Sequence, residues 1–384
     1  MRQRLLFTAS LCLFFIFVIT GCKKESSDTN ILGVYLNNPT DGNIMIAPFN
    51  DGDHSSGALM VLDKNGGILK KTAIGPEILN FTKWNYEGKT RYSYNQYVYK
   101  NGTLQVIYSQ AVVLDENYNE IRRFNLLPFN GRTATDPNGL DSHDFILLGD
   151  DHYIALGAVA QQVNNIPASL NPVAGVSVIG TVIQEVQNGN VLWEWNSTSF
   201  PEFYDNSVEG NAFSSSSDPH DYMHCNSMYV DPLDNNIVCS FRNQNQVVKI
   251  KRTTGEIMWR LGGKNSDYAM SSSQYFLRQH DASVLHDESY TGIMLVDNGL
   301  RGTRESSRIL EIELDENTKT VKEYHEFDIP SVFIEFMGSV QKKGNTYFIG
   351  GGSSKTVLEY NYVTGERLFE MDLSHYTYRA FKFE

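Results

Sequence analysis

The sequence predicts an all-β protein folded as a six-bladed β-propeller. A pattern of apolar strand, polar turn and second strand recurs six times, as ALMVLDKNGGILKKTAI, QAVVLDENYNEIRRFNL, TVIQEVQNGNVLWEWN, VVKIKRTTGEIMWRLGG, ILEIELDENTKTVKEYHEF and VLEYNYVTGERLFEMDL. The turns hold Asn, Asp, Thr and Gly, residues that accept hairpin geometry. The second strands start near Ile68, Ile121, Val191, Ile257, Val321 and Arg367, 46 to 70 residues apart. A further strand–turn–strand pair precedes most copies, as in FILLGDDHYIALGAV, MYVDPLDNNIVCSF, SVLHDESYTGIMLVDN and SVQKKGNTYFIGGG. Four strands per repeat, repeated around a ring, describe a propeller. A pair of β-sandwiches is the competing arrangement, and the regular hairpin repeat argues against it.

Residues 1–21 read as a lipoprotein signal peptide. Arg2 and Arg4 form a positive start, and 5–19 form an apolar run too short for a comfortable membrane span. The run ends at Ile19-Thr20-Gly21-Cys22, which resembles a bacterial lipobox. That resemblance implies cleavage before Cys22, lipidation of its thiol, and attachment to the cell envelope, expected at the outer membrane. An ordinary signal peptide with an incidental cysteine is the alternative. Residues 22–30 are expected to be a flexible polar tether, and 31–384 the propeller. ILGVYLNN and NIMIAPF should supply inner strands of the first blade, with YRAFKFE closing the ring beside them.

Removing residues 1–21 takes away two arginines and no acid, so the formal charge moves from −13 to −15. Such a surface disfavours nucleic acid. Cys225 and Cys239 each sit in an apolar run and read as buried thiols, a disulfide being the alternative in an oxidising compartment. No nucleotide-binding or dinucleotide-binding fingerprint is present.

The histidines carry the functional signal. DSHDF at 141–145, DPHDYMHCN at 218–226 and QHDAS at 279–283 each hold a His-Asp pair. In a propeller, the links between blades share a face with the loops between second and third strands. The long segments 126–142, 197–219, 262–278 and 298–306 all fall on that face, so it is the candidate functional face. His143, His224 and His280 should stand at starts of first strands and converge on its channel mouth, with Arg242, Arg301 and Arg379 nearby. Converging titratable groups in a concave mouth favour a site. A structural role is the alternative, with the adjacent Asp fixing each tautomer. A three-histidine zinc site is disfavoured, because the arginines repel a metal and attract an anion. Tyr204 and Tyr275, on loops, are candidates to line an aromatic subsite.

Residues 140–384 resemble the bacterial arylsulfate sulfotransferases. MHCNSMYVDPLDNNIVCSFRNQNQVVKIKRTTGEIMWRLGG, FLRQHDASVL, LVDNG and SRILEIELD carry the likeness, with SHDF and YRAF as further features. The resemblance implies transfer of a sulfuryl group from an aryl sulfate to a phenol, with no nucleotide sulfate donor and no cofactor. It implies catalytic roles for His224, His280 and Arg301. His143, Asn226, Arg242, Arg308 and Arg379 are expected to bind substrate, and Arg304 or Arg308 could replace Arg301. The family also uses a further histidine as nucleophile. Aligning turns places Gly338 opposite His143, and EFMGSV there holds no histidine. His375, before the closing strand, is the candidate nucleophile. Arginine pairs well with tetrahedral oxyanions, and imidazole can attack sulfur or protonate a leaving phenolate. A non-catalytic propeller binding a sulfated or anionic aromatic ligand is the alternative function.

The lipobox reading makes Cys22 testable. The Cys22→Ser variant is expected to leave the membrane fraction on cell fractionation; equal retention of variant and wild type would overturn the reading.

Overall fold

The computed structural model describes residues 22–384 apart from 25–27, 51, 53, 55, 76, 101–102, 133–138, 216–217 and 287–290. The signal segment 1–21 thus lies outside the described residues. Among the described residues the strands form five antiparallel sheets. Cys225–Val230, Ile237–Phe241, Gln246–Ile250 and Ile257–Gly262 make one four-stranded meander, and His280–His286, Thr291–Asp297, Arg308–Asp315 and Thr320–Asp328 make another. Tyr376–Phe383 pairs with Asn43–Phe49, followed by Gly57–Leu62 and Ile68–Ile74. The last strand of the chain therefore completes a sheet begun near its start, as YRAFKFE suggests. First strands of neighbouring meanders lie against one another around a common axis. The architecture is all-β and propeller-like.

The sheets do not number six. One bridged pair, Leu140 with Ser109, joins the strands Leu140–Gly149 and Thr103–Leu114, fusing two meanders into one eight-stranded sheet. The sheet made from Ser339–Lys343, Thr346–Gly350, Thr356–Asn361 and Glu366–Leu373 has six strands, because Ile31–Leu36 and Cys22–Lys24 extend it outward. Two expectations are corrected here. Ile31–Leu36 is an outer strand of this sheet rather than an inner strand beside Asn43–Phe49. The tether is in part a strand, with Cys22–Lys24 registered against Val34–Leu36.

Local chemistry accounts for the meanders. Asp63 Oδ1 accepts from the amides of Asn65 and Gly67, and Asp115 Oδ1 from those of Asn117 and Asn119. Asp315 and Asn361 repeat the device. A short side chain that bonds its own backbone two residues on favours a turn over an extended strand. Middle strands such as Ile237–Phe241 are buried throughout, whereas the outer strand Ile68–Ile74 is largely exposed. Apolar clusters draw on neighbouring meanders. One packs Ile154, Val178 and Ile183 against Met228, Cys239 and Val248.

The axis itself is polar. Five first strands break register near their starts, between Leu79 and Thr82, Leu140 and Phe145, Cys225 and Ser227, His280 and Ser283, and Thr377 and Ala380. Bulges of this kind re-aim side chains. They carry Asn80, Asp144, Asn226, Asp281 and Arg379, all buried. Arg379, 6% exposed, donates from Nη1 to Asn80 Oδ1 at 2.9 Å and from Nη2 to Asp144 Oδ2 at 3.2 Å and the Asn226 carbonyl at 3.0 Å. Its Nε stands 3.2 Å from Asp281 Oδ1. The two aspartates also reach neighbouring strands: Asp144 Oδ2 accepts from the Met228 amide at 2.8 Å, and Asp281 Oδ2 from the Val340 amide at 2.9 Å.

Removing one partner of such a buried ion network leaves uncompensated charge, at a cost of about 3–5 kcal/mol. Arg379→Met is expected to lower the unfolding free energy by about that amount in urea titration. A loss below about 1 kcal/mol would show that the axis does not depend on the guanidinium.

Candidate functional site

Two histidines are held the same way. In His143 the backbone amide and ring Nδ1 both meet Asp141 Oδ1, at 2.7 and 2.6 Å. In His224 the amide donates to Asp221 Oδ1 at 3.0 Å, and Nδ1 meets Asp221 Oδ2 at 2.6 Å. A carboxylate at Nδ1 fixes the ring orientation and keeps a proton on that nitrogen, so each Nε2 is left to face outward. Among the described residues no hydrogen bond engages Nε2 of either ring. The rings lie edge to face with centroids 4.9 Å apart, and they are 22% and 29% exposed. His224 holds a φ of 50°, a left-handed conformation unusual for a residue with a Cβ and one found at sites where the surroundings over-determine the backbone.

Both dyads line a cavity of about 390 Å³, walled by Tyr108, Leu156, Ile179 and Thr181. Its electrostatics are asymmetric. Burial opposes protonation of His143, but Asp141 and Asp221 outweigh it and raise its pKa above the usual imidazole value. Burial pushes the Asp221 carboxyl up, yet His224 and His143 hold it below the ordinary carboxylate value. The approach loop closes on this dyad: Gly210, at a φ of 64°, packs so tightly that a Cβ would come within 1.9 Å of the Asp221 carbonyl oxygen.

The two histidines have different neighbours. His143 meets the Tyr378 ring at 5.5 Å, and Tyr378, itself buried, packs with Phe49, Leu79, Tyr97, Met337 and Tyr376. His224 accepts, through its carbonyl, the Arg242 amide at 3.0 Å. The guanidiniums of Arg242 and Arg278 grip opposite oxygens of Glu209 at 2.8 and 2.6 Å.

Several sequence expectations change. His280 is 3% exposed, with Nδ1 against Asn298 Oδ1 at 2.8 Å and Nε2 accepting from the Met337 amide at 3.2 Å. Both ring nitrogens are thus engaged by the protein in this structure. Arg308 is buried among Asp297, Glu326 and the carbonyls of Ser273 and Tyr275. Arg304 also pairs with Asp297. Asn226 and Arg379 belong to the axial network, so in this structure the polar groups of these residues are turned to other parts of the protein. Arg242 reaches the site's edge but is engaged by Glu209. Arg301 is 65% exposed, facing Glu335 at 3.5 Å and the Phe333 ring at 4.6 Å rather than a histidine. His375 lies in the two-residue link between Glu366–Leu373 and Tyr376–Phe383. Gly338, just before the strand Ser339–Lys343, offers no side chain, and its amide donates to the Tyr378 carbonyl. Tyr204, expected on a loop, is fully buried. Cys225 and Cys239 are buried free thiols.

The sequence does not single out Asp141, Asp221, Arg278, Glu209 or the Tyr378 ring. The signal for the first two was present, because an Asp stands two or three residues before each paired histidine. The Asp after the histidine, in contrast, serves the axis at 144 and 281.

His280 gives a pH signature. Burial drives its pKa well below the ordinary 6.5, despite the Asn298 hydrogen bond, and His224, His143 and Arg242 push it further down. Above about pH 6.5 its contribution to stability is complete. As pH falls from there toward the folded-state pKa, the unfolded chain binds the proton first, and stability drops by at most about 1.4 kcal/mol per pH unit from this group. His143 works in the opposite sense: its stabilisation is complete below about 6.5 and is lost as pH rises through its folded value. Nitrogen NMR at pH 6 is expected to find His280 neutral and protonated on Nδ1. His280→Asn should flatten the acid limb of the stability profile, and an unchanged limb would count against the assignment.

The description "Arylsulfotransferase (ASST)" belongs to a family model that matches residues 80–382. No curated protein matches the chain. Among solved structures, a protein of unknown function from Bacteroides caccae is 9% identical, with 90% of this chain and 100% of that one covered at a TM-score of 0.50. A nidogen/laminin complex is 10% identical, covering 89% and 98% at 0.47. TolB from Acinetobacter baumannii is 11% identical, covering 90% and 68% at 0.45. At such identity the first of these likenesses speaks to fold alone. The family match spans most of the chain and includes both histidine dyads, the Arg242 segment and the closing Arg379 strand: the chain belongs to the arylsulfotransferase family.

Proposed function

We propose that this protein transfers a sulfuryl group from an aryl sulfate to a phenolic acceptor, independent of a nucleotide sulfate donor. One observation carries the reading beyond family membership. Two carboxylate-oriented imidazoles, His143 and His224, share one cavity whose other walls include Tyr108, Leu156 and Ile179. An aryl sulfate needs both kinds of neighbour, a donor pair for its oxyanion and apolar walls for its ring. Sulfuryl transfer resembles phosphoryl transfer in needing positioning and charge stabilisation more than strong covalent activation. In this reading protonated imidazole supplies the charge that stabilises the sulfonate oxygens, and the exposed Arg301 meets incoming anions.

The same proposal includes a six-bladed ring. Among the described residues the Leu140–Ser109 bridge alone pairs the two halves of the eight-stranded sheet, and either side of it is a complete four-stranded meander. Ile31–Leu36 and Cys22–Lys24 are then additions to the outer edge of a blade. The lipidated Cys22 would begin at that outer edge, holding the protein to the cell envelope.

The test is the fate of sulfate from p-nitrophenyl sulfate. With phenol present, nitrophenolate release should depend on phenol and be matched by phenyl sulfate formed. Release with only inorganic sulfate as product would make the protein a sulfatase. No release over a broad panel of aryl sulfates would overturn the reading in favour of ligand binding without turnover.

A further inference from the structure

We propose that a second cavity, behind the axial network, binds a neutral alcohol carried on an apolar body, its hydroxyl donating to Asp281 and accepting from Nε of Arg379. The proposal is independent of the sulfotransferase reading. The cavity holds about 560 Å³, within the range of about 300–1,000 Å³ usual for small-molecule sites. It is distinct from the histidine cavity. In the strands that serve both, the histidine cavity is lined by residues up to His143 and Cys225, and this one by residues from Asp144 and Ser227 onward.

The floor of this cavity is an incomplete hydrogen-bond network. Asp144 is well served, accepting from Asn80, Phe145, Met228 and Arg379. Asp281 is not. Its Oδ2 accepts from the Val340 amide at 2.9 Å, and among the described residues Oδ1 accepts no hydrogen bond. Nε of Arg379 stands 3.2 Å from that Oδ1 but makes no hydrogen bond among the described residues, so the two charges are close without being aligned. Both residues line the cavity, and their side chains are only 5% and 12% exposed for Arg379 and Asp281. A buried donor and a buried acceptor left unmatched are costly. Burial raises the pKa of Asp281 despite Arg379, as expected of a carboxylate short of donors. Asp281 also holds a φ of 53°, a left-handed conformation of the kind kept at sites that the surroundings over-determine.

The missing partner has a definite chemistry. One oxygen must donate to a carboxylate and accept from a guanidinium N–H, and a hydroxyl does both. An ammonium has no lone pair for Arg379. A carboxylate or sulfate has no proton for Asp281 and adds negative charge beside Asp144. Water has the right donor and acceptor, but the walls favour carbon. They include Trp84, Tyr229, Val284, Met294, Phe381 and Phe383. The indole N–H of Trp84 is already given to Ser93 Oγ at 2.7 Å. Ser227 and Gln341, also on the wall, accept from the Ala282 and Lys382 amides. The wall lysines are engaged as well: Lys83 Nζ donates to the Glu384 main-chain oxygen at 2.9 Å, and Lys342 Nζ to Glu311 Oε2 at 2.7 Å. Tyr229, 38% exposed, connects the cavity to solvent. A neutral molecule entering there buries its carbon body and brings its hydroxyl to the floor.

The probe is phenylbutanol, titrated into the purified full chain and followed by calorimetry and by tryptophan emission. One alcohol should bind per chain, with an emission change that Trp84→Phe removes while calorimetric binding persists. The methyl ether of the same alcohol, which keeps the oxygen but not the proton, and phenylbutyrate should each bind about tenfold more weakly or worse. Ser283→Phe narrows the cavity without altering Asp281 or Arg379. It should weaken alcohol binding to the same extent while retaining the wild-type melting curve; if that variant does not fold, Trp84→Phe still locates the site. Equal affinity for alcohol and ether, an emission change that survives in Trp84→Phe, binding unaltered in Ser283→Phe, or no binding of the alcohol up to its solubility limit would overturn the assignment.

Discussion

The guanidinium of Arg379 is the interaction on which the rest of the molecule depends. It comes from the last strand of the chain, yet it meets Asn80, Asp144, Asn226 and Asp281 from four other first strands. Charges removed from water cost several kcal/mol each unless paired and hydrogen-bonded. Here Asp144 accepts from Asn80, Phe145, Met228 and Arg379. Asp281 has fewer donors, and its pKa is raised by burial despite the nearby Arg379. The guanidinium thus neutralises carboxylates that would otherwise repel one another at the centre. That neutralisation is complete only when Tyr376–Phe383 docks beside Asn43–Phe49, so closing the sheet and satisfying the axis are one event.

The same bulges place the site. Successive residues in a strand face opposite sides, and the consequence is visible at His143 and Asp144. His143 lines the 390 Å³ cavity with His224, while Asp144 lines a second cavity of about 560 Å³ together with Asp281 and Arg379. The axial network therefore stands behind the histidines as a buried support. His280 follows the same alternation, but Asn298 and the Met337 amide enclose its ring. A shared sequence pattern thus gives an open imidazole in one strand and a structural one in another. What differs is the neighbouring loop, not the His-Asp pair.

This explains which features were legible in the sequence. Hairpins were legible because their turns are local: Asp63, Asp115, Asp315 and Asn361 bond to amides two to four residues on. The closing strand was legible because its apolar pattern had no other partner at the chain's end. His143 and His224 were legible as site residues from their place at strand starts. Ion-pair partners were not, because they are long-range. Nothing in the text near Arg308 announces Glu326 and the Ser273 carbonyl, and nothing near Arg242 announces Glu209. Arginines that read as free cations are in several cases already neutralised. Ile31–Leu36 was misplaced for a related reason: an apolar run fits an outer edge covered by Cys22–Lys24 as well as it fits an interior.

The chain is acidic overall, and the charge at its cavity is a separate matter. A formal charge of −13 disfavours approach of an anion at long range, but salt screens such fields beyond about 8–10 Å, and the short-range field is set by neighbours. Arg242, whose backbone amide bonds to the His224 carbonyl, and Arg278 share one carboxylate, Glu209, so that trio retains one net positive charge. Around the two imidazoles, Asp141 and Asp221 are each bonded to a ring, and protonation of His143 offsets part of their charge. The field inside the cavity is therefore set by these carboxylates and by the proton on His143, and not by the net charge of the chain.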